Sequence, residues 1–323
     1  MTTSAQKDFT DHYGWDSALL DTDAYLDRLG YQGPTEPTVD TLRALTKAHS
    51  LTIPFENFDV LAGREIKLDV GSLFDKMVRR RRGGYCFEHN ALFAAVLESV
   101  GFQVDGLGAR LLNSRDDTIL RSATHAALLV TVDDRRFVVD VGVGAGPEEP
   151  IELIDGNEVE VGPGWRYRTN FIDRDMWVLR TWTDGAWTSI HKFTLSPFYR
   201  ADYVDANYIA QHHPRSPFHK TVTIGISKGD HHVDLLGNTL KRLYPDGSKT
   251  EETLEPNEVP EVVVKEFKIA LTEEEKAEVS ANASPIAHSD LMGDLSPRGD
   301  AAGGDVPALA GKEMTSYGNS RHA

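Results

Sequence analysis

Cysteine is almost absent from this chain: among 323 residues Cys86 is the only one. A lone thiol makes no intrachain disulfide and cannot complete a cysteine-rich metal centre, so disulfide scaffolds and zinc ribbons are excluded. Long apolar runs are missing too. None approaches the roughly 20 residues that cross a bilayer as a helix, and no membrane partner is expected. Basic charge is scarce, with 34 Lys and Arg against 50 Asp and Glu and a formal net charge of −16. That balance argues against a nucleic-acid partner and obliges any anionic substrate to find a local basic patch. The opening residues Met1 to Asp8 lack the basic-then-apolar pattern of a secretory signal. With the single thiol, this points to a cytoplasmic location.

Two apparent motifs carry no chemistry. Gly142-Val143-Gly144-Ala145-Gly146 follows a strand pattern but lacks the third glycine at dinucleotide spacing, and Pro147 stands where a helix would begin. The pairs His212-His213 and His231-His232 are adjacent in sequence, so their side chains do not readily converge on one ion. With no His-Glu-x-x-His in the chain, no metal is expected.

The periodicity divides the chain into four parts. Residues 1–100 read as a helical domain. Asp23 to Gly30 starts on a capping-type residue and stops at glycine, Thr38 caps a helix with Val39, Leu42 and Leu45 on one face, and Asp69 to Arg80 carries Leu73, Phe74, Met77 and Val78. The basic run Arg79 to Arg82 reads as a solvated helix C-terminus. Cys86 opens a further helix that buries Leu92, Phe93, Val96 and Leu97 and ends before Gly101. Residues 101–204 alternate with period two and read as an antiparallel sheet or barrel. Within it Thr124 to Val132 and Arg135 to Val143 form a hairpin around Asp133-Asp134. Residues 205–280 mix the strands Thr221 to Ile226, His232 to Leu236 and Thr239 to Leu243 with a final helix from Glu258 to Phe267. From about Ala281 to 323 the apolar periodicity is lost, and an acidic, disordered tail is expected.

Cys86 stands between Gly83-Gly84 and an apolar-periodic run, so it sits at a helix N-terminus, where the dipole favours a nucleophilic thiolate. The plain alternative is a buried small hydrophobe. A nucleophile needs a base and a group to orient that base. If the hairpin turns at Asp133-Asp134, Val132 faces Arg135 and Asp140 falls opposite Ala127. That places His125 and Asp140 on one face at a diagonal position; a one-residue slip would separate them. An aspartate inside Phe137-Val138-Val139-Asp140-Val141 also requires a partner, because burying an uncompensated carboxylate is costly. A purely structural His–Asp pair is the competing account.

These residues carry a resemblance. Arg82-Gly83-Gly84-Tyr85-Cys86, His125 and Asp140-Val141-Gly142-Val143-Gly144 stand in order with Ile53-Pro54-Phe55-Glu56-Asn57-Phe58 and with Asn207-Tyr208 and His213-Pro214-Arg215-Ser216-Pro217-Phe218. Together, from about Asp23 to Leu271, they resemble the arylamine N-acetyltransferases. The resemblance implies an α+β fold: a helical N-terminal domain, an antiparallel β-barrel and an α/β lid, with a core like that of papain-type cysteine proteases. It implies a Cys86–His125–Asp140 triad and ping-pong transfer from acetyl-coenzyme A to an arylamine, arylhydrazine or N-hydroxyarylamine. By position, Arg82 and Glu56 brace the site, Phe55 and Val143 line the acceptor pocket, and Thr124, Gly144 and Ser216 lie where coenzyme A approaches. Two departures stand out. Val143 and Ala145 replace the usual aromatic and basic residues, which implies a wider or differently selective acceptor pocket, and His212 occupies a position where a small hydroxyl residue is common. A macrolactam-forming amide synthase of the same fold, a papain-like hydrolase and a non-enzymatic scaffold are the alternatives.

Overall fold

A computed structural model describes residues 14–116, 118–214 and 216–286. The expected tail beyond residue 286 and the motif residue Arg215 lie outside the described residues. The N-terminal part contains α1 (Thr22–Leu29), α2 (Val39–Thr52), the short α3 (Phe58–Leu61), α4 (Val70–Phe74) and α5 (Cys86–Ser99). Their starts are chemically marked: the side chains of Asp21, Thr38 and Asp69 each accept a hydrogen bond from a backbone N–H of the first turn. Gly30 ends α1 in the left-handed conformation, at φ 66°. After Phe74 the helix widens into a π turn over Asp75–Arg79, where an unbroken α-helix to Arg80 was expected.

The middle of the chain is an eight-stranded antiparallel sheet made of β2 (Gln103–Ser114), β3 (His125–Val132), β4 (Arg135–Val139), β5 (Ile151–Glu152), β6 (Glu158–Val161), β7 (Trp165–Asp173), β8 (Met176–Thr183) and β9 (Ala186–Thr194). Its spatial order is β5-β4-β3-β2-β9-β8-β7-β6. The sheet curls into a nearly closed barrel. The Thr169 hydroxyl of β7 reaches the carbonyls of Glu152 and Ile154, and Gly156 N–H donates to the Thr169 carbonyl. The hairpin turns where the sequence expects. Asp133 and Asp134 both have positive φ, Val132 pairs with Arg135, and Leu128 pairs with Val139. The second strand stops at Val139 rather than Val143, because Asp140 leaves the ladder.

A smaller sheet follows, formed by β10 (Thr223–Ser227), β11 (His232–Leu236), β12 (Thr239–Leu243) and β13 (Lys249–Thr253), and packed on α7 (Val259–Phe267) and α8 (Glu273–Ala281). Four expectations are corrected. The first hundred residues are not all helical, since Phe55–Glu56 form a strand, β1, that pairs with β10 of the small sheet. Helix α6 (Arg200–His212) was not foreseen, and the boundary expected at 204/205 falls inside it. Its polar composition hides it, and its buried residues Tyr203, Ala206 and Ala210 reach the main core only in the folded molecule. Among the described residues the last helix is α8, capped by Thr272, and not the one ending at Phe267. The chain also stays packed past Ala281: Ala283 is buried, and the Asn282 carbonyl accepts from Val222 N–H and the Thr221 hydroxyl.

Helix α5 is the centre of the molecule. Every residue from Cys86 to Leu97 is buried, and the helix packs against β2 and β3. Each large aliphatic or aromatic side chain buried there contributes about 1.5–3 kcal/mol. Its N-terminal end rests on a buried ionic cluster. Lys76 Nζ lies 2.7 Å from Glu88 and 2.6 Å from Asp59, while Arg82 lies 2.8 Å from Glu56 and also contacts Asp59 and Glu275. Arg79 to Arg81 are solvent-exposed as expected, but Arg82 is only 2% exposed, so the reading of all four as a solvated terminus is wrong for it. Three carboxylates converge on that one guanidinium and hold it inside. Removing one partner of a buried ion cluster leaves an uncompensated charge, so Arg82→Ala is expected to lower unfolding stability by about 3–5 kcal/mol. Urea denaturation followed by far-ultraviolet circular dichroism measures this; a loss below about 1 kcal/mol would contradict the structural role of the cluster.

Candidate active site

The turn before Cys86 is built for close approach. A Cβ at Gly83 would lie 2.1 Å from the Pro54 carbonyl oxygen, so only glycine lets the Pro54–Glu56 segment lie against it. Glu56 N–H then donates to the Gly84 carbonyl at 2.7 Å. Tyr85 caps α5, and the Glu88 carboxylate accepts from Tyr85 N–H at 3.0 Å while Lys76 balances its charge. Burial pushes Glu88 up, with Lys76 opposing. Cys86 is thereby the first residue of α5, buried at 1% exposure.

His125 opens β3 and Asp140 follows the last residue of β4, as the register argument requires. His125 Nε2 donates to Asp140 Oδ2 at 2.6 Å. The imidazole's other nitrogen, Nδ1, is buried without a partner of good hydrogen-bond geometry. Cys86 is close enough to act on the same ring through charge and hydrogen bonding. The structure therefore brings all three residues together. Burial alone would depress His125, but Asp140 and Cys86 outweigh it and raise it to about 10. Burial likewise works to raise Asp140, yet His125 and His191 hold its carboxyl well below the usual carboxylate range.

Two further residues complete the site. Asn90, one turn after Cys86, donates its amide N–H groups to Asp140 Oδ1 at 3.1 Å, to Ala126 O at 2.8 Å and to Cys86 O at 3.1 Å. Gly142 N–H also reaches Asp140 Oδ1, at 3.0 Å. His191 of β9 places Nε2 3.2 Å from Asp140 Oδ2, and its burial lowers its own basicity. Sequence reasoning singled out neither residue. Asn90 left a faint signal, a polar side chain on an otherwise apolar helix face; His191 left none, since only the curl of the barrel carries it to Asp140. His125, Asp140 and His191 are also the types that bind metal. However, two atoms bound to one zinc at about 2.0–2.2 Å in tetrahedral geometry stand more than about 3 Å apart, and the 2.6 Å His125–Asp140 contact is a direct hydrogen bond with no room for an ion.

The remaining candidates fall in two groups. Phe55, Val143 and Gly144 line one narrow cleft with Asp140, Ser50 and Pro147, and Phe218 stands 6.1 Å from the Phe55 ring. A Cβ at Gly142 would sit 2.6 Å from Cys86 Cα, so this loop lies directly on Cys86. Thr124 is half-buried beside His125. Ser216 is buried, and its hydroxyl donates to the Ala210 carbonyl at 2.6 Å, which commits that proton internally. Glu56 and Arg82 belong to the ionic cluster behind α5, and among the described residues their ion pairs run to Asp59, Lys76, Glu275 and each other.

The His125–Asp140 contact makes stability depend on pH with a definite sign. A histidine raised above its free value of about 6.5 contributes stability that is fully present below that value and lost as pH rises through about 10. The wild-type chain is expected to exceed Asp140→Asn in unfolding free energy by on the order of a few kcal/mol at pH 6. By pH 10.5 that gap should shrink measurably. Paired urea titrations at the two pH values test it, and a gap independent of pH would refute the charged pair.

Comparison with known proteins agrees with this geometry. A family model described as N-acetyltransferase matches residues 38–276. The arylamine N-acetyltransferase of Escherichia coli (strain K12) is 38% identical over 226 residues, covering 70% of this chain and 74% of the relative. That of Mycolicibacterium smegmatis is 37% identical over 230 residues, covering 68% and 82%. Among solved structures, the Nocardia farcinica arylamine N-acetyltransferase superposes with a TM-score of 0.79 at 39% identity, over 87% of this chain and 98% of that one. The Mycobacterium marinum enzyme in complex with CoA gives a TM-score of 0.75 at 31% identity, over 81% and 99%. In sequence, in architecture and over most of its length, the chain belongs to the arylamine N-acetyltransferase family.

Proposed function

We propose that this acetyltransferase carries the acetyl group of acetyl-coenzyme A on Cys86 and passes it to an arylamine, arylhydrazine or N-hydroxyarylamine in a ping-pong cycle. The observation that supports this most directly is the buried Cys86–His125–Asp140 cluster, in which Asp140 and Cys86 together keep His125 protonated. A thiolate attacks the thioester carbonyl. The oxyanion formed meets the free backbone N–H groups of the first turn of α5; losing one such donor typically costs about 3 kcal/mol. As the carbon–sulfur bond to coenzyme A breaks, His125 supplies the proton that makes the leaving thiol, and S-acetyl Cys86 remains.

Acetylation removes one of the two charges that raise His125. The imidazole is then neutral, held by Asp140, and ready to take the proton of the attacking amine. Collapse of the second tetrahedral adduct releases the amide and restores the thiolate–imidazolium pair. Among the described residues no helix is long and apolar enough to cross a membrane; with a single reduced thiol required for the cycle, a cytoplasmic setting fits the chemistry.

Intact-protein mass spectrometry after brief mixing with acetyl-coenzyme A is expected to show one acetyl group per chain on Cys86, with stoichiometric release of free coenzyme A. Cys86→Ser should show none and lose at least about a thousandfold in turnover while keeping its circular dichroism. Residual turnover near wild type would exclude the nucleophile. In the acceptor cleft, Val143→Phe is expected to lower kcat/KM for bulky arylamines about tenfold more than for small hydrazines. Equal effects on both would place Val143 outside the pocket.

A further inference from the structure

One carboxylate beside the acceptor cleft has no use in the fold or in the transfer step. Asp234 lies in the middle of β11, half-buried, and its side chain makes no hydrogen bond among the described residues. Its position follows from strand register. Phe55 pairs with Gly225, Gly225 with Asp234, and Asp234 with Lys241. Directly opposed residues share a face of an antiparallel sheet, so Phe55, Asp234 and Lys241 point the same way and Gly225 leaves a gap between Phe55 and Asp234. Asp234 leans into that gap: a Cβ on Gly225 would stand 2.6 Å from Asp234 Oδ1. The same Cβ position is 3.5 Å from Gly144 Cα. Gly144 is two residues from Gly142, which packs on Cys86, a span of at most about 7.6 Å between their Cα atoms. The carboxylate therefore lies over Gly225 on the face that carries Phe55 and meets Gly144, two of the residues lining the cleft.

A carboxylate so placed is unfavourable without a partner. Its nearest cation, Lys241, is engaged at 3.3 Å by Glu251. Burial raises Asp234 to about 6, with Lys241 opposing. We propose that Asp234 determines acceptor specificity: its carboxylate, over Gly225 and beside Gly144 and Phe55, receives hydrogen-bond donors or cationic substituents on the acceptor ring and repels acceptors that carry an acid group there. The inference rests on the arylamine acceptor reading and adds to it the charge class of the ring substituent.

The test compares two acceptors of matching shape, anionic 4-aminobenzoate and neutral 4-aminobenzamide, through the ratio of their kcat/KM values at pH 8. The wild-type enzyme is expected to favour the benzamide. Asp234→Asn should raise the benzoate-to-benzamide ratio about tenfold, since a like charge at ring distance is removed. Lys241→Gln should move the ratio the other way, because it removes the only nearby opposing charge. Ratios within about twofold of wild type in both variants would overturn the assignment. So would an effect of Asp234→Asn on the KM for acetyl-coenzyme A alone, which would put the carboxylate on the coenzyme side. S-acetylation of Cys86 and wild-type turnover of the benzamide are measured alongside. If those fail, the acceptor reading falls with this one; if they hold and the ratio does not move, only the role of Asp234 falls.

Discussion

The full burial of one negative charge, Asp140, governs the architecture around the site. A carboxylate removed from water must be matched by donors from every direction or it destabilises the fold by several kcal/mol. Here the donors come from separate parts of the chain: His125 from β3, Asn90 from α5 and Gly142 N–H from the turn that follows, while His191 of β9 places Nε2 3.2 Å away. Satisfying this group therefore joins the central helix to the barrel. It also draws the chain off the β4 ladder and lays Gly142 on Cys86. The closeness of Cys86, His125 and Asp140 is a consequence of how that charge is compensated.

A second buried cluster fixes the other side of α5. Lys76 and Arg82 stand among Glu56, Asp59, Glu88 and Glu275, and both are held charged, since the surrounding carboxylates outweigh the cost of burial. Through Glu88 the cluster steadies the first turn of α5; through Glu56 it holds the strand that carries Phe55; through Glu275 it ties down α8. Cys86 and Phe55 thus share a single electrostatic anchor.

A neutral chain completes the setting. Tyr25, His49 and His89 are fully buried, and burial keeps both imidazoles uncharged. The Pro54 carbonyl can only accept, so His89 donates to it through Nε2 and accepts through Nδ1 from His49 Nε2, which in turn leaves His49 Nδ1 to accept from the Tyr25 hydroxyl. Every polar atom in the series is satisfied by one set of tautomers. Three polar residues can therefore sit in the core behind Cys86 and link α1 and α2 to α5 without introducing charge.

By itself the sequence determined the local features. The Gly-Gly break, the following apolar run, the capping residues of the first helices and the Asp133-Asp134 turn are signals read within a few residues. They placed Cys86 at a helix start and His125 on one face with Asp140. The motif spacing carried the family, and with it the ion pairing of Arg82 that local charge pattern misread as solvation. What only the tertiary structure decided was everything that depends on strand order and burial: the pairing of Phe55–Glu56 with β10, the polar helix α6, the packing of the chain past Ala281, and the arrival of Asn90 and His191 beside Asp140. The physical reason is the same in each case. Helix caps and turns are governed by the backbone groups of neighbouring residues, whereas the environment of a buried charge or an unpaired strand edge is supplied by segments that meet only when the chain has closed.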